Sequence, residues 1–209
     1  MEPFIVGIRF QKVGKIYHFD AKAYPDLSVG DSAVVETSRG RQLGQVIQIL
    51  KDPHPPSEGT WKPILRKATP QDLVLRQFWQ QKELEATISC RAKAAESGLE
   101  GVKIVAAEFS FDGTRLSYLY SSEGDEKVDL RAMRRAMQRL YPHAQVEFHQ
   151  IGPRDVAKIL GGMGACGLAN RCCSRFLTEF SPISIKMAKE QGISLTPTEI
   201  TGMCGRLRC

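Results

Sequence analysis

The sequence is poor in the side chains on which most hydrolytic and redox enzymes are built. Its four histidines (His18, His54, His143, His149) are scattered through 209 residues. There is no G-x-S-x-G elbow, no paired carboxylate motif, and no G-x-x-x-x-G-K-S/T loop to cradle a nucleotide phosphate. No apolar run is long enough to span a bilayer. The start, MEPFIVGIRF, lacks the basic-then-apolar order of a secretory leader. These absences lead to the expectation of a cytoplasmic, non-catalytic protein without a transmembrane segment. A hydrophobic share of 42% and a charged share of 25% describe an ordinary globular chain that needs no disulfide staples. The net charge of +6 is compatible with RNA or an acidic partner and selects neither.

What the chain does have is cysteine at one end. Five of its six cysteines, Cys166, Cys172, Cys173, Cys204 and Cys209, fall within the last 44 residues as C-x5-CC and C-x4-C. Gly164, Gly167, Gly202 and Gly205 stand beside them, allowing tight turns that bring sulfurs to one place. Arg171, Arg175, Arg206 and Arg208 stand there too, and nearby positive charge favours thiolate, the form that binds soft metals. Three readings are open: a metal or cluster site, redox thiols, and inert packing. The spacings fit neither the C-x2-C knuckle of zinc ribbons nor the ferredoxin run, although C-x4-C occurs in plant-type clusters. Adjacent Cys172 and Cys173 rarely ligate one tetrahedral ion together, since consecutive side chains diverge.

Patterning predicts an α+β chain in four parts. Residues 1–52 read as a small β-barrel: short β-branched runs around Ile5–Phe10, Lys15–Phe19, Ala33–Thr37 and Leu43–Leu50 are separated by glycine turns. Its V-G-D-x-x-V-V stretch resembles SH3-like barrels of translation factors. Residues 53–68, with four prolines, read as a linker. Residues 69–152 read as an α-β-β-α-β sandwich. Its long first helix has Thr69 as N-cap, Pro70 at the first helical position and Asp72 facing back to the cap. Leu75, Trp79, Ile88, Ala92 and Ala95 form its expected apolar stripe, with Phe78 and Leu84 beside it and Cys90 as a packing residue. The second helix, about 129–140, is expected to pack through Leu130, Met133, Met137 and Leu140. Its Arg131, Arg134, Arg135 and Arg139 are a candidate surface for RNA or a partner, weighed equally against a solvated face. Residues 153–209 form the Cys/Gly-rich segment, and Leu195–Pro197 is expected to turn the chain so that Cys204 meets Cys166.

The same segment carries a resemblance. The run Cys172-Cys173-Ser174, Phe176-Leu177, Phe180-Ser181-Pro182-Ile183-Ser184-Ile185-Lys186-Met187-Ala188-Lys189 and Gly202-Met203-Cys204-Gly205-Arg206-Leu207-Arg208-Cys209 resembles the bacterial RicT family, also called YaaT. This chain has five residues between Cys166 and the pair, where that family usually has four. The resemblance covers nearly the whole chain, the PSP1 C-terminal domain included. It implies a regulatory adaptor that carries a 4Fe–4S cluster on Cys166, Cys172, Cys173, Cys204 and Cys209, with ligation open to sharing with partner chains. It further implies RicA-like and RicF-like partners and joint action with the endoribonuclease RNase Y on messenger RNA. Zinc is the alternative metal; Arg206 and Arg208 join the candidate partner- or RNA-binding residues.

Overall fold

The computed structural model describes residues 4–10, 15–38, 40–50, 60–99, 101–122, 128–175, 184–192 and 194–207. Five strands, β1 (Ile5–Arg9), β2 (Tyr17–Asp20), β3 (Ser32–Thr37), β4 (Gly40–Leu50) and β5 (Ile64–Lys67), form one antiparallel sheet in the order β2-β1-β4-β3-β5. The sheet curls until its two edges approach. Asp20 at the end of β2 bridges Pro63 just before β5, and the Asp20 N–H donates to the Lys62 carbonyl at 2.9 Å. Val6, Ile8, Phe19, Leu27, Val35 and Val46 fill the space so enclosed.

Strand β5 corrects the expected linker. Residues 51–59 of that linker lie outside the described residues, but its last stretch pairs with β3 through Ala33–Lys67, Val34–Arg66 and Val35–Ile64. Four residues after a proline carry no readable alternation, and their pairing partner lies some thirty positions away. The chain then enters α1 (Pro70–Glu96) through the predicted cap. The Thr69 side chain accepts the Asp72 N–H at 3.4 Å, and the Asp72 carboxylate accepts the Thr69 N–H at 2.7 Å. That carboxylate also receives both terminal nitrogens of Arg66 from β5, one at 2.9 Å. A single buried aspartate thus ties the first sheet to the long helix.

The second sheet has the order β6-β7-β8, from β6 (Val102–Phe109), β7 (Arg115–Ser122) and β8 (Gln145–Gln150). The β6–β7 pair is antiparallel and β7–β8 parallel, with α2 (Arg131–Leu140) as the crossover. Cys90, Leu116, Tyr118, Met133, Met137 and Val146 form its core. Gly113 in the β6–β7 turn has φ +70°, and a Cβ there would collide with the Trp79 ring. Trp79 stacks on Phe109 at 4.9 Å and donates its indole N–H to the Phe111 carbonyl at 3.0 Å. The two sheets are joined by the Phe111 N–H, which donates to the Arg41 carbonyl at 2.8 Å.

The expected stripe on α1 faces the wrong way. Leu75, Ile88, Ala92 and Ala95 are exposed, as are Phe78 and Leu84, and only Trp79 of the predicted set packs inward. Small or polar residues, Ala86, Thr87, Cys90 and Ala94, are buried instead. The reason lies in β6, an edge strand whose outer backbone groups need partners. Thr87 Oγ accepts the Ala107 N–H at 2.9 Å, and the Glu83 carboxylate accepts the Phe109 N–H at 3.0 Å. Arg91 donates to the carbonyls of Ile104 and Val105, both at 2.9 Å. Burial raises the Glu83 carboxyl above its ordinary value, opposed by Arg76 at 3.0 Å and by that Phe109 N–H. The opposite edge is treated alike by α2. Gln138 accepts the Val146 N–H at 3.1 Å, and Arg134 donates to the Val146 carbonyl at 3.0 Å. Leu140, expected in the core, is exposed, because this docking turns the end of α2 outward.

Two outcomes test this packing. The Arg66 fork, opposed by burial, holds the Asp72 carboxyl well below the usual carboxylate range. A depressed value means that its stabilisation is full above pH ~4 and fades as pH falls further. Asp72→Asn is expected to lower stability at neutral pH by roughly 1–2 kcal/mol, with the gap to the parent narrowing in urea titrations below pH ~4. Ile88→Ala is expected to change stability by less than ~0.5 kcal/mol. Cys90→Leu, at a fully buried position, is expected to lose about 1–3 kcal/mol. The reverse order would place Ile88 in the core.

Candidate functional site

Among the described residues after β8 stand the short helices α3 (Pro153–Leu160), α4 (Cys172–Arg175), α5 (Ile185–Glu190) and α6 (Pro197–Ile200). Gly152 and Pro153 start α3, and Gly161 ends it at φ +59°. Ser184 caps α5 by accepting the Met187 N–H at 3.3 Å. Between and after these helices lie two turns built to the same plan. In Gly164-Ala165-Cys166-Gly167-Leu168 the first N–H donates to the fifth carbonyl at 2.9 Å, and the fourth N–H donates to the first carbonyl at 3.0 Å. In Gly202-Met203-Cys204-Gly205-Arg206 the same bonds measure 2.6 and 3.0 Å. The fourth residue has φ +82° in one turn and +75° in the other, a conformation open to glycine at no steric penalty. Each turn presents its cysteine third, at the tip. Thr201 and Leu207 bridge beneath the second turn.

Both tips reach one cavity of about 200 Å³. Cys166 and Cys204 line it from the turns, and Cys172 and Cys173 line it from the first residues of α4. Cys166 is exposed, Cys172 and Cys204 are half-buried, and Cys173 is buried. Leu168, Met203, Leu207 and Ala157 supply apolar wall. Arg171 is the one charged side chain among the described residues that line the cavity. It donates through Nη1 to the Ala157 carbonyl at 3.0 Å, linking α4 to α3, while its Nε–H is buried without an acceptor among the described residues. Among the described residues no three His, Cys, Asp or Glu side chains stand close enough together to grip a single ion.

The remaining candidates lie elsewhere. Cys209 and Arg208 fall outside the described residues. Cys90 belongs to the second core, where burial pushes its thiol up to about 12, and it does not line the cavity. Arg131 is exposed and paired with Asp129 at 3.0 Å, Arg134 is committed to β8, and Arg135 and Arg139 are exposed. Arg206 closes the Cys204 turn through its carbonyl. None of the α2 arginines lines the cavity. Arg171 was legible only as one of several arginines beside the thiols. The repeated G-x-C-G, four residues long and present twice, was the clearest available signal for the paired turns.

No helix among the described residues is long and apolar enough to cross a membrane. Comparison with known proteins gives two family matches and one relative. Residues 62–151 match the PSP1 C-terminal conserved region, and residues 182–209 match a PSP1-like third domain. The chain is 40% identical over 201 residues to the stage 0 sporulation protein YaaT of Bacillus subtilis (strain 168), covering 95% of this chain and 70% of that relative. No solved structure matches. With family matches on both sides of the first cysteine turn and identity running through nearly all of the sequence, the chain belongs to the PSP1 family that includes YaaT.

Proposed function

We propose that this protein is a non-catalytic regulatory adaptor whose clustered cysteines hold an iron–sulfur cluster. The observation that carries the reading is the convergence of Cys166, Cys172, Cys173 and Cys204 on one cavity. The donor set fits the group, being all sulfur and presented on glycine turns and a helix start. Sulfurs spread round a cavity suit a multi-iron group better than a lone zinc, whose four Zn–S bonds are each ~2.3 Å. Cys209 belongs to the proposed ligand set on sequence grounds. Bound there, a 4Fe–4S cluster supplies an element sensitive to oxygen and to redox state.

Family membership supports a finer reading of the adaptor. Its partners are RicA-like and RicF-like chains and the endoribonuclease RNase Y, its output is the processing of selected messenger RNAs, and it works in the cytoplasm. The supporting relative is named for sporulation, a regulated programme. The curled first sheet, with its edges bridged at Asp20 and Pro63, is read as an SH3-like barrel that docks onto a partner rather than catalysing.

Protein purified without oxygen and analysed for iron, sulfide and zinc tests the metal. The expected result is matching iron and sulfide with visible charge-transfer absorbance. Cys172→Ser and Cys204→Ser are expected to reduce cluster content at least ~10-fold, while Cys90→Ser leaves it unchanged. Stoichiometric zinc without sulfide would replace the cluster by a structural ion, and metal-free protein that turns over a disulfide would make the site a thiol-redox centre. Normal partner assembly and RNA processing by both cavity variants would sink the adaptor reading.

A further inference from the structure

We propose that the outer face of α1 is the contact surface between two copies of this chain, docked antiparallel about a two-fold axis that passes Gln81. None of the residues involved lines the cysteine cavity, so the proposal stands apart from what fills it. The side of α1 turned away from the sheet carries Val74, Phe78, Leu84 and Ile88, exposed by 66, 47, 64 and 58%. At helical spacing these four fall within an arc of about 120°. Thr87 and Cys90, which pack inward, stand on the opposite side of the helix. The row is about 21 Å long, and its apolar surface of roughly 400 Å² is of the size that marks an interaction site.

Two features select a second copy as the occupant. The first is that the row is palindromic. Counted from Gln81, apolar residues stand three positions away in both directions, at Phe78 and Leu84, and seven positions away, at Val74 and Ile88. A two-fold interface requires that where one residue meets another, the second also meets the first. Turning one helix about Gln81 sets Phe78 beside Leu84 of the second copy, and Val74 beside its Ile88. An unrelated chain would need no such symmetry. The second feature is charge. The protein carries a net +6, yet the charged side chains bordering the row between Val74 and Ile88 are Lys82 and Glu85, which pair at 2.6 Å and cancel. Two copies therefore meet at this face without like-charge repulsion, and the face offers little to RNA or to an acidic partner. The paired rows and their flanks enclose on the order of 1,000 Å² in all, the lower limit of a specific interface, so the pairing is reversible.

Sedimentation velocity over a concentration series tests this, with the full chain kept reduced and free of oxygen so that no disulfide mimics association. The parent is expected to pass from monomer to dimer as concentration rises. Phe78→Lys and Leu84→Glu are each expected to weaken self-association at least ~10-fold, while thermal unfolding at dilution matches the parent. Mixing the two variants, one bearing a size tag, is expected to restore the dimer. In the mixed pair the introduced lysine faces the introduced glutamate once and Phe78 faces Leu84 once, whereas either variant alone repeats its mismatch twice. Should a charge unfold the chain, Phe78→Gln and Leu84→Gln carry the weakening test. A parent that stays monomeric would leave the face to a different partner and overturn the proposal. Dimers that persist in both variants would place the contact elsewhere, and a mixture no better than either variant alone would rule out the two-fold at Gln81.

Discussion

The architecture depends on one requirement: the backbone N–H and C=O groups along the open edges of a three-stranded sheet must be hydrogen-bonded. So short a sheet has no further strand to offer, and side chains from flanking helices take the strand's place. Thr87, Glu83 and Arg91 serve β6, and Gln138 and Arg134 serve β8. This fixes the roll of both helices about their axes. Each contribution is a hydrogen bond worth about 1 kcal/mol, but an unmade one at a buried edge costs about 1–3 kcal/mol. The edge therefore outranks the apolar content of the helix in choosing which face turns inward. It also anchors β8, from which the cysteine segment departs.

That ordering explains what could and could not be seen in the sequence. The start of α1 was legible to the residue because capping is local: Thr69, Pro70 and Asp72 act within one turn. The β6–β7 turn is local in the same way, with Gly113 at φ +70° and the Asp112 carboxylate accepting the Thr114 N–H. The face of α1 was not, since counting apolar residues gives no weight to the needs of a strand some twenty positions away. Strand β5 was hidden because its pairing with β3 is non-local and its own four residues carry no pattern. In the cysteine segment, the clustering and the flanking glycines were visible. What distance along the chain concealed was that Gly164–Leu168 and Gly202–Arg206 form the same turn, and that Arg171 enters the cavity wall.

The paired turns divide labour with the helix between them. Glycine at the fourth position lets each turn close tightly, so Cys166 and Cys204 stand at tips with little chain around them. Cys172 and Cys173 are held instead by α4, which Arg171 fastens to α3. Two sulfurs are thus placed by backbone hydrogen bonds within five residues, and two by packing. Cys166 is exposed and Cys173 buried, while Cys172 and Cys204 are both half-buried.

The two turns are also separated in time. Cys204 follows Cys166 by 38 positions, which at ~5–20 residues per second of synthesis is a delay of about 2–8 seconds. The Cys166 turn and the Cys172-Cys173 helix emerge first and wait without their fourth wall. A nascent or broken chain lacking the last turn offers an incomplete ring of sulfur. A chain not yet translated past Cys204 therefore lacks one wall of the cavity.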